Sequence, residues 1–162
     1  MNIFILDKDL EKNAQYYCDQ HIVKMILESA QLLCSVVLLK GGNAPYKLTH
    51  KDHPCTKWLL ENETHWDFLI SLVTALNNEY KKRFNHNENH KSFDIILSLT
   101  KPKYSYKAPI KKFISVTDTV EKLSLNKTIL SYRKYYLKKS KEFSMRWSNS
   151  KKPYWLKKME LL

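Results

Sequence analysis

The sequence predicts an all-α fold: a compact single-domain bundle of about five or six helices, spanning residues 1–162, with a short extended N-terminal arm. Three observations carry this. At 162 residues, 43% apolar and 12% aromatic, the chain is long enough for one hydrophobic core and too apolar for disorder. Only two glycines occur, side by side at Gly41 and Gly42, which disfavours sandwiches and barrels with their many tight turns and removes every Gly-rich phosphate loop. Apolar residues also recur at helical spacing through stretches free of Gly and Pro.

The elements follow in order. Residues 2–6, Asn-Ile-Phe-Ile-Leu, form a short strand or an extended arm lying on the core. Asp7 and Asp9 are candidate N-caps for a first helix through about Cys18. Asp19 to Leu39 is the plainest helix: Ile22, Ile26, Ala30, Leu33 and Val37 share one face, and Gly41-Gly42 stops it. After a loop to Pro54, the spacing of Trp58, Leu59, Trp66, Leu69, Ile70, Val73 and Leu76 predicts one helix from Thr56 to about Phe84. Residues 85–91 read as a turn, Ser92 to Leu99 as a helix, and 101–113, with Pro102, Pro109 and five lysines, as a basic loop. Residues 118–124 read as a short helix, and Asn126 is the candidate cap of a last long helix through about Phe143. The tail, Lys151 to Lys158, interleaves lysine with aromatics.

The formal net charge of +12 is one-sided. Residues 1–100 hold 11 Lys/Arg against 12 Asp/Glu, whereas 101–162 hold 17 against 4. Such an excess is the footprint of a nucleic-acid phosphate backbone; an acidic protein, a membrane surface or a plain solvated face are the other readings. Compositional bias alone would spread the lysines evenly. Three cysteines, Cys18, Cys34 and Cys55, point away from a disulfide framework and toward a reducing compartment, and so to the cytoplasm. The opening MNIFILDKDLEK lacks the basic start of a signal peptide, and no stretch approaches the length of a membrane span.

Four constellations offer chemistry. His21, Lys24, Glu28 and Gln31 form a polar stripe on the second helix, with His21 and Glu28 seven apart on one face. Spacing alone favours a solvent-facing stripe with a Lys24–Glu28 ion pair; the rival is a glutamate and a histidine converging on one pocket for acid–base work. In Thr49-His50-Lys51-Asp52-His53-Pro54-Cys55, His50 and His53 precede a helix start that favours anions, or else Asp52 caps and Pro54 opens that helix. Cys18, His21, His50, His53 and Cys55 are ligand types that zinc prefers, but their spacing matches no standard finger, and no metal or other cofactor is expected. Tyr154 and Trp155 either stack on bases between lysines or dock the tail onto the core.

The run Asp19-Gln20-His21-Ile22-Val23-Lys24-Met25-Ile26-Leu27-Glu28 resembles the helix of the pyrimidine-dimer DNA glycosylase/AP-lyase family, the phage endonuclease V type, in which an Asp-Gln-His triplet precedes the catalytic glutamate by this spacing. Lys152-Pro153-Tyr154-Trp155 is similar to that family's basic-Pro-x-Trp segment, and His53-Pro54 to an Asn-His-Pro of its bacterial members. The N-terminal block also resembles uncharacterised proteins of phages and large viruses. The resemblance implies an N-terminal α-amine that forms a Schiff base at C1′ of the damaged nucleotide. Glu28 would then assist base loss and strand cleavage, with His21 beside it. The family exposes its amine by losing the initiator Met before a small residue. Asn2 usually leaves Met1 in place, so the amine is that of Met1 or the mechanism does not carry over. The family's arginines after the helical histidine are absent, and Lys24 is the one base there.

The expectation is a monomeric base-excision enzyme, acting on damaged or abasic duplex DNA and not on membranes. Its site gathers Met1, Asn2, His21, Glu28, His50 and His53. Lys24, Lys103, Lys107, Lys111, Lys112, Arg133, Lys152, Tyr154, Trp155 and Lys157 hold the nucleic acid. The alternatives are a metal-dependent nuclease with His/Cys ligands and a non-enzymatic nucleic-acid-binding protein.

Overall fold

The computed structural model describes residues 1–161, which form seven helices and one two-stranded sheet. The helices are α1 (Leu10–Tyr16), α2 (Asp19–Leu39), α3 (Pro54–Glu61), α4 (Glu63–Phe84), α5 (Lys91–Ser98), α6 (Leu125–Glu142) and α7 (Tyr154–Glu160). The strands are β1 (Phe113–Val116) and β2 (Val120–Leu123). The fold is thus mostly helical, as predicted, but the strict all-α expectation and the count of five or six helices are corrected.

The N-terminal arm is in no strand, yet Ile3, Phe4, Ile5 and Leu6 are all buried. A buried segment outside a sheet must find other partners for its backbone. Asn13 Oδ1 accepts from the Leu6 N–H at 2.5 Å and the Asp7 N–H at 3.3 Å, and Asn13 Nδ2 donates to the Phe4 carbonyl at 3.2 Å. The Tyr17 hydroxyl donates to that same carbonyl at 2.6 Å, and Arg133 Nε to the Leu6 carbonyl at 2.8 Å. Side chains of α1 and α6 therefore replace a sheet ladder.

Helix α2 is the central helix, packed against α3, α4 and α5. It is long and apolar enough to cross a membrane, contrary to the sequence reading, yet 67% of its most apolar window is buried inside the protein. Burying each Ile or Leu of that face stabilises the fold by about 1.5–3 kcal/mol. Its stop is a Schellman motif: Gly41 takes φ +81°, its N–H bonds the Leu38 carbonyl at 3.0 Å, and the Gly42 N–H bonds the Val37 carbonyl at 2.9 Å.

Three other expectations change. The single helix over 56–84 is broken at Asn62, whose extended backbone (φ −153°, ψ 133°) ends α3 and caps α4. Its side chain accepts from the Thr64 N–H at 3.1 Å and pairs with both backbone groups of Ala108 at 2.9 and 3.2 Å, pinning the basic loop. The short helix over 118–124 is a hairpin instead, with Phe113 opposite Leu123 and Val116 opposite Val120. The β-branched residues Ile114, Val116, Thr119 and Val120 suit a pleated surface better than a helix. Ser124, not Asn126, caps α6, and the tail forms α7.

Arg83, fully buried at the end of α4, ties the bundle together. Its guanidinium donates to Glu79 at 2.8 and 3.0 Å, to the Gln15 carbonyl at 3.0 Å, to the Tyr17 carbonyl, and to Asp19 at 3.3 Å.

Candidate active site

Met1, Asn2, Phe4, His21, Lys24, Met25 and Glu28 share one pocket of about 250 Å³ with Tyr135, Lys139 and Phe143 of the far end of the chain. Glu28 sits one turn below Lys24 and two turns below His21 on the α2 face that meets the arm, and its side chain is 12% exposed. Its Oε2 lies 3.7 Å from the Met1 amine and 3.3 Å from the backbone nitrogen of Asn2. Its Oε1 lies 3.6 Å from Lys24 Nζ. The stripe that spacing alone assigned to solvent thus turns its glutamate inward. Asn2 is itself held: the Tyr132 hydroxyl lies 3.2 Å from its Oδ1 and 3.2 Å from the Ile114 carbonyl, and accepts from the Val116 N–H.

His21 is the second polar group of the pocket. Its Nδ1 is 2.7 Å from the Tyr136 hydroxyl, which also accepts from the Cys18 N–H at 3.3 Å. That contact ties the α2 imidazole to α6 through one ring nitrogen. Burial first, then the nearby Lys24 and Lys139 charges, push the imidazole down to about 4. His21 is thus a neutral imidazole across the physiological range.

The His50/His53 loop lies beside this pocket without lining it. His53 feels the N-terminal ammonium and Glu28; burial is the main cause that holds it below its usual pKa. Its Nδ1 accepts from the Cys55 N–H at 3.1 Å, so His53, not Asp52, caps α3. His50 adopts a left-handed φ of 50°, and its carbonyl accepts from Thr56 Oγ1. Among the described residues no three His, Cys, Asp or Glu side chains gather as a metal site would require, so Cys18, His21, His50, His53 and Cys55 do not converge.

The basic residues divide. Lys107 bonds Glu63 at 2.9 Å, together with Lys101, and Lys152 bonds Glu160 at 2.6 Å. Arg133 is spent internally, on the Leu6 carbonyl, on Asp7 at 3.2 Å, and over the Trp155 ring at 5.0 Å. Trp155 is 4% exposed and packs on Tyr16 and Tyr136, so the expectation that it stacks on bases is corrected: it docks the tail, while Tyr154 is 67% exposed. Lys103, Lys111, Lys112 and Lys157 are exposed and make no ion pair among the described residues. Lys111 and Lys112 line a cleft with Tyr106 and His65; Lys152, Tyr154 and Lys157 line another of about 460 Å³. Neither cleft shares a residue with the Glu28 pocket.

Sequence reasoning missed the opposite wall. Tyr135 and Lys139 are one turn apart on α6 and Phe143 follows it, more than 100 residues from His21. The one local signal was the cluster Tyr132, Tyr135 and Tyr136 at helical spacing.

An amine, a carboxylate and a neutral imidazole converging in one small pocket define a site of the enzyme type. The sequence model of the pyrimidine dimer DNA glycosylase family matches residues 1–92, more than half of the chain, and the chain belongs to that family of DNA-acting glycosylases. The match contains Met1, Asn2, His21, Lys24 and Glu28 and ends before α6. No curated protein and no solved structure matches the chain.

Proposed function

We propose that this protein releases a damaged pyrimidine from DNA and then nicks the strand as an AP lyase, using the amine at its N-terminus. The observation that carries the reading is the approach of the Met1 amine and the Asn2 nitrogen to one oxygen of Glu28, at 3.7 and 3.3 Å. Whichever of the two nitrogens is terminal, the carboxylate is at hand. An α-amine is a nucleophile once it has lost its proton, and a carboxylate beside it can take that proton up.

The amine lone pair attacks C1′ as the bond from C1′ to the base breaks. The base departs with the bonding electrons and takes a proton from water. Glu28 accepts a proton from the new ammonium nitrogen and returns it to O4′ as the sugar ring opens to the protonated Schiff base. Glu28, again a carboxylate, then takes a proton from C2′, and the electrons of that C–H bond expel the 3′ phosphate. The His21 ring, held neutral by burial, serves as a hydrogen-bonding partner of the sugar or its oxygen substituents. Lys24 and Lys139 at the rim favour the flanking phosphates, and the exposed lysines 103, 111, 112 and 157 add sequence-independent affinity. On this reading the enzyme acts as a monomer, in the cytoplasm, without a cofactor.

Borohydride trapping tests it. Wild-type protein mixed with ultraviolet-irradiated or abasic duplex should yield a covalent adduct, because hydride reduces the C=N bond. N-terminal acetylation should abolish it, and Glu28→Gln should slow its formation on irradiated duplex. Salt-sensitive DNA binding with no adduct would mark the protein as a binder alone.

A further inference from the structure

Each residue of the triplet Asp19-Gln20-His21 touches another part of the chain. Between α6 and α7, residues 143–150 form an irregular strap across the start of α2. The Asp19 N–H donates to the Arg146 carbonyl at 2.9 Å. The Asp19 carboxylate accepts from the Ser148 N–H at 3.0 Å and from its hydroxyl at 2.7 Å. Gln20 Nε2 donates to the Ser144 carbonyl at 3.0 Å. The His21 ring meets the Phe143 ring edge to face, with centroids 5.6 Å apart. From the other side, Trp147 Nε1 donates to the Tyr16 carbonyl and Asn149 Nδ2 to the Arg83 carbonyl, each at 3.0 Å. Arg83 in turn neutralises Asp19.

The clasp fixes one thing of use to the site. Phe143, the first residue of the strap, is half-buried and lines the Glu28 pocket with Tyr135. Two aromatic side chains on the wall that receives a nucleotide are what an extruded base needs once it leaves its stack in the duplex. We infer that Asp19 and Gln20, with Ser148, are positioning residues that hold Phe143 as the stacking wall for an extruded base. This rests on the reading of the pocket as the place of base release. It goes beyond it in assigning base recognition to a segment outside the family-matched residues.

Binding, rather than turnover, separates the two. Fluorescence anisotropy compares a fully paired duplex with one that carries an unpaired thymine, at one salt concentration. The wild-type protein should prefer the unpaired duplex by about tenfold or more. Phe143→Leu, which loses the ring, should remove that preference, and Gln20→Ala/Ser148→Ala, which cuts two side-chain ties of the strap, should lower it. Both should leave affinity for the paired duplex within about twofold and the thermal midpoint little changed; Phe143→Tyr should keep the preference. A wild-type protein with no preference, or variants that weaken both duplexes equally, would overturn the inference. A lost adduct with an intact preference would instead count against the lyase chemistry alone.

Discussion

The imidazole of His21 and the phenol of Tyr136 meet at 2.7 Å, 115 residues apart in sequence, and the phenol is fully buried. The contact ties α2 to α6 at the edge of the Glu28 pocket. Burial and the Lys24 and Lys139 charges work in the same direction and bring His21 to about 4. Above pH about 6.5 the histidine is neutral in both folded and unfolded chains. Between there and about 4 the unfolded chain takes a proton that the folded one refuses, so stability falls as pH falls. Burial lowers His53, His65 and His90 as well, and they add to the same slope. Urea unfolding at stepped pH should show it. His21→Gln should flatten the part due to His21, on the order of 3 kcal/mol.

Glu28→Gln keeps an acceptor for the Asn2 N–H but cannot take a proton. Its nicking rate on irradiated duplex should fall about 10²- to 10⁴-fold, the range lost with a general base. Thermal unfolding should be displaced by only a few degrees. A nicking rate equal to wild type would remove Glu28 from the chemistry.

Arg83 carries a buried positive charge against Glu79 and Asp19. Arg83→Met should destabilise by about 3–5 kcal/mol, because two carboxylates and two carbonyls lose their donor. Adding Glu79→Leu should recover part of the loss, since one stranded charge is then gone. Thermal melts of the single and double variants give the comparison.

Lys111 and Lys112 make no ion pair among the described residues, whereas Lys101 lies 2.6 Å from Glu63 and 2.7 Å from Asp67. The slope of log affinity against log salt should therefore shrink by up to about 2 in Lys111→Ala/Lys112→Ala, close to one unit for each phosphate no longer neutralised. Lys101→Ala should leave the slope unchanged. Titrations of duplex binding at several salt concentrations measure both.

Local signals explain what the sequence made legible. Helix α2 announces itself through apolar spacing and its paired glycine stop, and the Asp-Gln-His triplet on it led to Glu28. The break at Asn62 was hidden because apolar spacing runs straight across it; the reason for the break is Ala108, 46 residues on. The hairpin over 113–123 has no glycine in its turn, so its β-branched residues were outweighed by the helical surroundings. Whether Trp155 stacks on bases or docks the tail stayed open in a lysine-rich window, because its burial is set by Tyr16, Tyr136 and Arg133. The pocket was half visible. The arm and α2 could be read from the first 28 residues, but Tyr135, Lys139 and Phe143 are brought in by tertiary contacts that no window of sequence contains.

The side-chain partners of the N-terminal arm set a timetable for biosynthesis. Asn2 is held by Tyr132, which follows it by 130 residues, and the Leu6 carbonyl by Arg133. A ribosome adding roughly 5–20 residues each second needs on the order of ten seconds to deliver that stretch. For that interval Ile3, Phe4, Ile5 and Leu6 have emerged without the helix that covers them, as a short greasy leader open to chaperones. The pocket closes only when nearly the last quarter of the polypeptide arrives, so a truncated translation product lacks the α6 wall of that pocket.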